Sequence, residues 1–206
     1  YDCGLYTEEM IMEKILPQAF GPIYGKDNLH GFAWKQIFRK SVLVDNNLKY
    51  MPELQPYEDQ ILNLEIIRVC NSIYVDDCVI YNYVVNPQSI TAKLIKNFNL
   101  EEEWKRLVLF YESKKKYVDN EIHLEALSNQ MLNFSYSMIL SYCKKYPSVL
   151  AGGNEFKALV DQIRLKEMVS SASKNQSLRN RLVYWCIKHM RISELVTIIR
   201  LIHLFK

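Results

Sequence analysis

The side chains best placed for chemistry are two adjacent carboxylates, Glu58 and Asp59. They follow Tyr57 and a proline-bounded stretch, Pro52 to Pro56. An apolar run comes next, with Ile61, Leu62, Leu64, Ile66, Ile67 and Val69 spaced for one wide helix face. The two carboxylates therefore fall in a first helical turn. Unpaired amides and the positive end of the peptide dipoles favour the ionised form there. An ionised carboxylate at neutral pH is what a general base requires. Acidic residues also begin helices for structural reasons alone, and an isolated Glu-Asp pair is structural far more often than catalytic.

The elements around this pair can be read in outline. Thr7 to Leu16 has the pattern of a short helix, with Thr7 as N-cap, Glu8 and Glu9 in the first turn and Pro17 as its stop. Residues 17–31 hold Pro17, Gly21, Pro22, Gly25 and Gly31 and are expected to be a loop. Phe32 to Arg39 reads as a helical turn with Trp34, Ile37 and Phe38 inward. Asp45-Asn46-Asn47 is a turn, Leu48 to Met51 a short extended piece, and Pro52 to Pro56 a second loop. The helix after it should run from Tyr57 to Cys70 and end at Asn71-Ser72. Ile73 to Val75 and Val79 to Val85 have strand composition, with a turn at Asp76-Asp77 and a break at Asn86-Pro87-Gln88. From Leu100 onward the apolar spacing is helical, predicting helices over 100–118, 121–145, 154–171, 176–190 and 193–205. The breaks fall near Asn120, Pro147 and Gly152-Gly153. The expected fold is α/β but mainly α: a small mixed piece over residues 1–95, then a helical domain over 96–206.

Composition narrows the classes. The chain has 206 residues, 49% hydrophobic and 24% charged, enough for one sizeable core or two small ones. Cys3, Cys70, Cys78, Cys143 and Cys186 are dispersed, odd in number and form no CxxC pair, which suits reduced thiols in a cytosolic protein rather than disulfides or zinc. His30, His123, His189 and His203 lack metal-ligand spacing, and no P-loop, GxSxG or dinucleotide glycine pattern occurs. No secretory leader and no run of about 18 apolar residues is present. The chain opens on Tyr1 and enters helical sequence at once, as expected of a fragment that begins within a longer protein. The Lys114-Lys115-Lys116 run reads as a solvated helix face, and no aromatic-basic platform for nucleic acid is apparent.

Order and spacing add a resemblance. Trp34-Lys35-Gln36-Ile37-Phe38-Arg39-Lys40 is followed by Asn46-Asn47-Leu48-Lys49-Tyr50, then Tyr57-Glu58-Asp59-Gln60, then Tyr81-Asn82-Tyr83 and Ser89-Ile90-Thr91. This series resembles the second half of the catalytic domain in inverting family 2 glycosyltransferases of the GT-A (Rossmann-like) fold. The resemblance covers about 60 residues closely, from Trp34 to Thr91. It implies transfer of a sugar from a nucleotide-sugar donor to a glycan or lipid-linked acceptor, as in bacterial cell-envelope polysaccharide synthesis. It makes Asp59 the base and gives Glu58 the task of orienting the acceptor or the base. It sets Ser89 and Thr91 over the donor diphosphate, and Trp34, Lys35, Tyr57 and Tyr83 on the acceptor side or in structural roles. Two positions depart from the family pattern: Gln36 stands for a lysine, and Val84 for an arginine. The resemblance also implies a missing N-terminal half that binds the nucleotide, with an Asp-x-Asp motif for a divalent metal (Mg or Mn) in the complete enzyme. No such motif occurs here, so no metal is expected on this chain, which should be inactive alone. The alternative is a non-catalytic helical interaction domain in which the Glu-Asp pair only starts a helix.

Charge is uneven. Residues 1–100 carry nine basic and twelve acidic side chains, whereas residues 174–206 carry seven basic ones against Glu194 alone. The final predicted helix, with Ser193 as a cap, is apolar except for Thr197, Arg200 and His203. It is too short to span a bilayer. Two roles are open for it: core packing in the helical domain, or docking of 174–206 on the inner face of the cell membrane.

Overall fold

A computed structural model of the chain describes residues 2–24, 33–82, 84, 86, 88, 89, 93, 96–146, 154–174 and 176–204; the side chains of 33, 154, 155 and 201–204 are outside the description. The protein is mainly helical. Strand β1 (Gly4–Thr7) leads into α1 (Glu8–Met10), a π-helical turn (Ile11–Ile15) and α2 (Leu16–Phe20). A 3-10 turn (Ala33–Lys35), α3 (Lys40–Asp45) and a second 3-10 turn (Pro52–Leu54) precede α4 (Glu58–Val69) and β2 (Ser72–Val75). The rest is α5 (Leu100–Lys115), α6 (Glu121–Lys145), α7 (Asn154–Leu159), α8 (Gln162–Met168), α9 (Leu178–Lys188) and α10 (Ile192–Leu204).

Several helix starts follow from single side chains. Asn99 accepts from the amides of Glu101 and Glu102 at 3.0 and 3.2 Å, and Asn120 accepts from that of His123 at 2.9 Å. Asp161 does the same for Ile163 and Arg164, and Ser177 for Asn180. Each cap satisfies amides that have no partner within the helix, a contribution of about 1 kcal/mol.

The first helical region differs from the expectation. Pro17 does not stop it: the π-turn of Ile11–Ile15 shifts the hydrogen-bond register, and Pro17 then lies at the start of α2, where a missing N–H costs nothing. Thr7 is the N-cap residue but its side chain makes no cap bond. The chain leaves α2 at Gly21, where a Cβ would lie 2.1 Å from the carbonyl oxygen of Ala126. Glycine here lets the end of α2 touch the backbone of α6.

The sheet also differs. β2 pairs antiparallel with β1, with Gly4 opposite Val75 and Thr7 opposite Ser72, and not with 79–85. Val79 to Asn82 and Val84 form no strand, and Val79 and Val84 are each 80% exposed. β1, and not the stretch after Asp76-Asp77, is the partner that β2 takes. This antiparallel pair is the only sheet among the described residues.

Other boundaries moved less. Ile37 is 86% exposed rather than inward, and Val69 is exposed at the end of α4. Leu48 to Met51 is irregular rather than a strand, the Leu48 amide donating back to the Leu43 carbonyl at 2.9 Å, and Pro52–Leu54 is a 3-10 turn. The helix predicted over 154–171 is two, α7 and α8, with Asp161 starting the second. Helix 193–205 begins at Ile192. Ser193 does not cap it but donates to Glu194 at 2.9 Å.

Helix α6 is the central element, packed by α2, α5, α8, α9 and α10. Its buried side chains, among them Leu127, Met131, Leu132 and Ile139, join Phe20, Leu64, Leu107, Phe110 and Val196 in one core. Residues on both sides of position 96 therefore contribute to the same interior. Ile192, Leu195, Val196 and Ile199 of α10 are buried there, so the described part of that helix packs into the bundle. No helix among the described residues is long and apolar enough to cross a membrane.

Candidate active site at the start of α4

Helix α4 begins as its sequence requires. Tyr57 is the N-cap residue with no side-chain cap bond, and Glu58 and Asp59 occupy the first turn. The Gln60 amide of that turn donates to the Tyr57 carbonyl at 3.2 Å, and the positive end of the peptide dipoles lies at the two carboxylates. Below them Ile61, Leu62, Leu64, Ile66 and Ile67 are buried and fix the helix against α2 and α5.

Tyr57 is held from two sides. Its hydroxyl donates to Glu103 Oε1 at 2.5 Å, and its ring lies 4.7 Å from Phe134 and 5.7 Å from Phe110. Burial, then the Glu103 carboxylate, push its phenol far above the ordinary range. Arg106 donates to the other Glu103 oxygen at 2.7 Å, so this carboxylate ties the start of α4 to α5.

Glu58 and Asp59 are half-buried. Glu58 Oε2 is out of water and has no hydrogen-bond partner among the described residues. Two groups absent from the expected site lie near the pair. The hydroxyl of Tyr50 is pushed up by burial first, then by Asp59 and Glu58. Lys114 of α5 is 1% exposed; its Nζ donates to the carbonyls of Ala19 and Phe20 at 2.7 and 3.1 Å and lies 4.7 Å from the Phe110 ring centre. Burial pulls its ammonium down to about 7, against the opposing pull of Asp59.

Lys114 therefore corrects the reading of the lysine run as a solvated face. Lys115 and Lys116 are exposed, whereas Lys114 continues the buried stripe of Leu107 and Tyr111. Its place seven residues after Leu107 was the available signal. Tyr50 had a signal too, standing at the end of the Asn46 to Tyr50 segment.

The remaining candidates divide. Trp34 and Tyr81 stack at 5.2 Å, with exposed Lys35 Nζ 5.3 Å from the Trp34 ring, and the turn carrying Trp34 packs on α4. Gln36 is half-buried, and Val84 offers no charge where the resemblance would have an arginine. Half-buried Ser89 has local backbone bonds, its amide to Asn86 and its carbonyl from Lys93, both 3.0 Å. Tyr83 and Thr91 lie outside the described residues.

Metal ligation is not offered by the described residues: they contain no group of three or more His, Cys, Asp or Glu side chains suited to an ion. Asp76 and Asp77 are exposed, and Asp76 Oδ1 accepts from the Cys78 amide at 2.8 Å, which is turn geometry. All five cysteines are free. His123 is buried, stacked on Phe20 at 4.4 Å, with Nδ1 2.5 Å from Asp119; burial lowers its basicity more than Asp119 restores it. It is a packing histidine. No protein-family model, no curated protein and no solved structure matches this chain.

Proposed function

We propose that the chain is the acceptor-side part of an inverting glycosyltransferase of the family 2, GT-A type, followed by a helical domain. The observation that carries the reading is the Glu58–Asp59 pair in the first turn of α4, with Glu58 Oε2 lacking a donor among the described residues and the Tyr50 hydroxyl nearby. A buried carboxylate oxygen without a donor is costly, and an acceptor hydroxyl would satisfy it. In this reading Asp59 takes the proton from the acceptor hydroxyl. The freed oxygen bonds to the anomeric carbon as the bond to the diphosphate oxygen breaks, and the nucleoside diphosphate leaves. Half-buried Trp34 and exposed Tyr81 offer a stacked aromatic pair to the acceptor, and Ser89 and Thr91 belong to the donor side. The donor site, and the divalent metal that would neutralise the leaving diphosphate, belong to a half not represented in these residues.

The test is transfer from a panel of nucleotide sugars by a protein that joins this chain to its donor-binding half, with the anomeric configuration of the product read by NMR. Transfer with inversion is expected; retention, or no transfer from any donor, overturns the reading.

A second reading has its own observation. The carboxylate of Asp59 lies close enough to Lys114 to favour its charged form. In a non-catalytic helical interaction domain this would be the purpose of Asp59. Asp59→Asn separates the two, through its effect on stability against its effect on transfer.

A further inference from the structure

Helix α9 is covered on one side only. Asn180, Val183, Cys186 and Ile187 are buried against α6, α8 and α10. On the other side Leu178, Leu182 and Trp185 are 82%, 41% and 47% exposed. They stand at i, i+4 and i+7, the spacing of one stripe. They border an open cleft of about 480 Å³ that Lys174 and Arg181 also line. Single exposed apolar residues are ordinary, but a contiguous stripe rimmed by charge marks an interaction site.

The charged residues that line the cleft are Lys174 and Arg181. Arg179, Lys188 and Arg191 are also exposed, and the stretch from 174 to 206 holds one acidic residue, Glu194, near Arg191. The Arg191 guanidinium lies 5.5 Å from the Trp185 ring centre, so cation and anchor are adjacent.

We propose that this face of α9 docks on an anionic phospholipid bilayer, with Leu178, Leu182 and Trp185 entering the boundary between headgroups and acyl chains while the basic rim meets lipid phosphates. Charge complementarity selects the occupant: a stripe of Leu and Trp whose cleft is charged by Lys174 and Arg181 alone among its lining residues fits an apolar layer beneath an anionic surface. Tryptophan favours that depth because its ring is apolar and its N–H stays wet. In helix α10, the more apolar by sequence, Leu195, Val196 and Ile199 are already buried in the bundle and are not available for docking. The proposal does not depend on the role of Asp59.

The experiment is co-sedimentation of the 206-residue chain with phosphatidylglycerol-containing vesicles and with pure phosphatidylcholine vesicles. It uses low salt and about 0.5 M salt, between which screening changes severalfold. Binding to the anionic vesicles at low salt is expected, weakened by salt and absent with phosphatidylcholine. Leu182→Glu with Trp185→Glu, and separately Arg181→Glu with Lys188→Glu, should each weaken binding at least about tenfold, with circular dichroism unchanged. Brominated lipid should quench the fluorescence of the intact chain and quench a Trp185→Phe variant markedly less, a readout that survives if a double variant fails to fold. No binding to anionic vesicles overturns the proposal. So does quenching that ignores Trp185→Phe, or binding that ignores the apolar pair, which would be unspecific adsorption. Equal binding of a soluble polyanion through the same face would assign it to nucleic acid. Self-association lost in these variants would assign it to a second copy of the chain.

Discussion

Lys114 gives the sharpest physical prediction. It donates to two carbonyls at the end of α2 from a site closed to water, and burial pulls its ammonium from 10.5 to about 7. The sign follows from linkage. Between about 7 and 10.5 the unfolded chain holds this proton and the folded chain does not, so stability rises with pH across that window and the gain is lost as pH falls through about 7. For one group released at about 7, moving from pH 7 to pH 8 should add about 1 kcal/mol. Cys70, Cys143 and Cys186, raised by burial, pull the other way, but only on approaching 9. His123, lowered from 6.5, gives up its dependence below the window. Lys114→Met keeps the volume and removes both donors, leaving the Ala19 and Phe20 carbonyls without this partner. That should cost about 1–3 kcal/mol at pH 8. The assay is urea unfolding at pH 7 and pH 8 for both proteins. The variant should lie below the parent at pH 8, and its stability should change little between the two pH values. A flat parent curve, or an equal rise in Lys114→Met, would refute the assignment of the proton to this lysine.

Further outcomes follow from single contacts. Gly21→Ala forces a methyl into the Ala126 carbonyl and should lower stability by more than about 2 kcal/mol, or prevent folding, as judged by urea midpoint. Asn129 joins three segments, donating to the Pro22 carbonyl at 3.0 Å and accepting from the Ser173 amide at 2.8 Å and Gln176 at 3.3 Å; Asn129→Ala should cost about 2–3 kcal/mol in the same assay. Calorimetry should show no saturable binding of nucleotide sugars to the 206-residue chain, with or without Mg or Mn. Micromolar binding would contradict the view that the donor site lies elsewhere.

Local signals carried well where they were strong. Helix α6 was legible end to end because Asn120 caps it and its apolar spacing holds for 25 residues. Helix α4 was legible for the same kind of reason, and with it the position of Glu58 and Asp59. What failed was non-local. Nothing near residues 79–85 tells that β2 takes its partner from residues 4–7, so composition alone suggested a hairpin. Pro17 ends a helix by local rules, yet a π-turn before it lets the chain continue. Lys114 looked solvated because its neighbours are; only its register with Leu107 and Tyr111 marks it as interior. Asp161, which starts a second helix inside 154–171, is the cap signal that the apolar spacing on both sides masks. Tyr50 comes close to the carboxylates through folding across a loop, which spacing does not encode.

The central claim is that Asp59 serves as a base. The most direct measurement is single-turnover sugar transfer by Asp59→Asn in a protein that joins this chain to its donor-binding half, with urea unfolding of the same variant. The account predicts a loss of at least about a hundredfold in transfer, with stability lowered by no more than about 1 kcal/mol from the weakened pull on Lys114. Near-normal transfer would contradict it. So would a loss of several kcal/mol of stability, which would make Asp59 the counter-charge of Lys114 and nothing more.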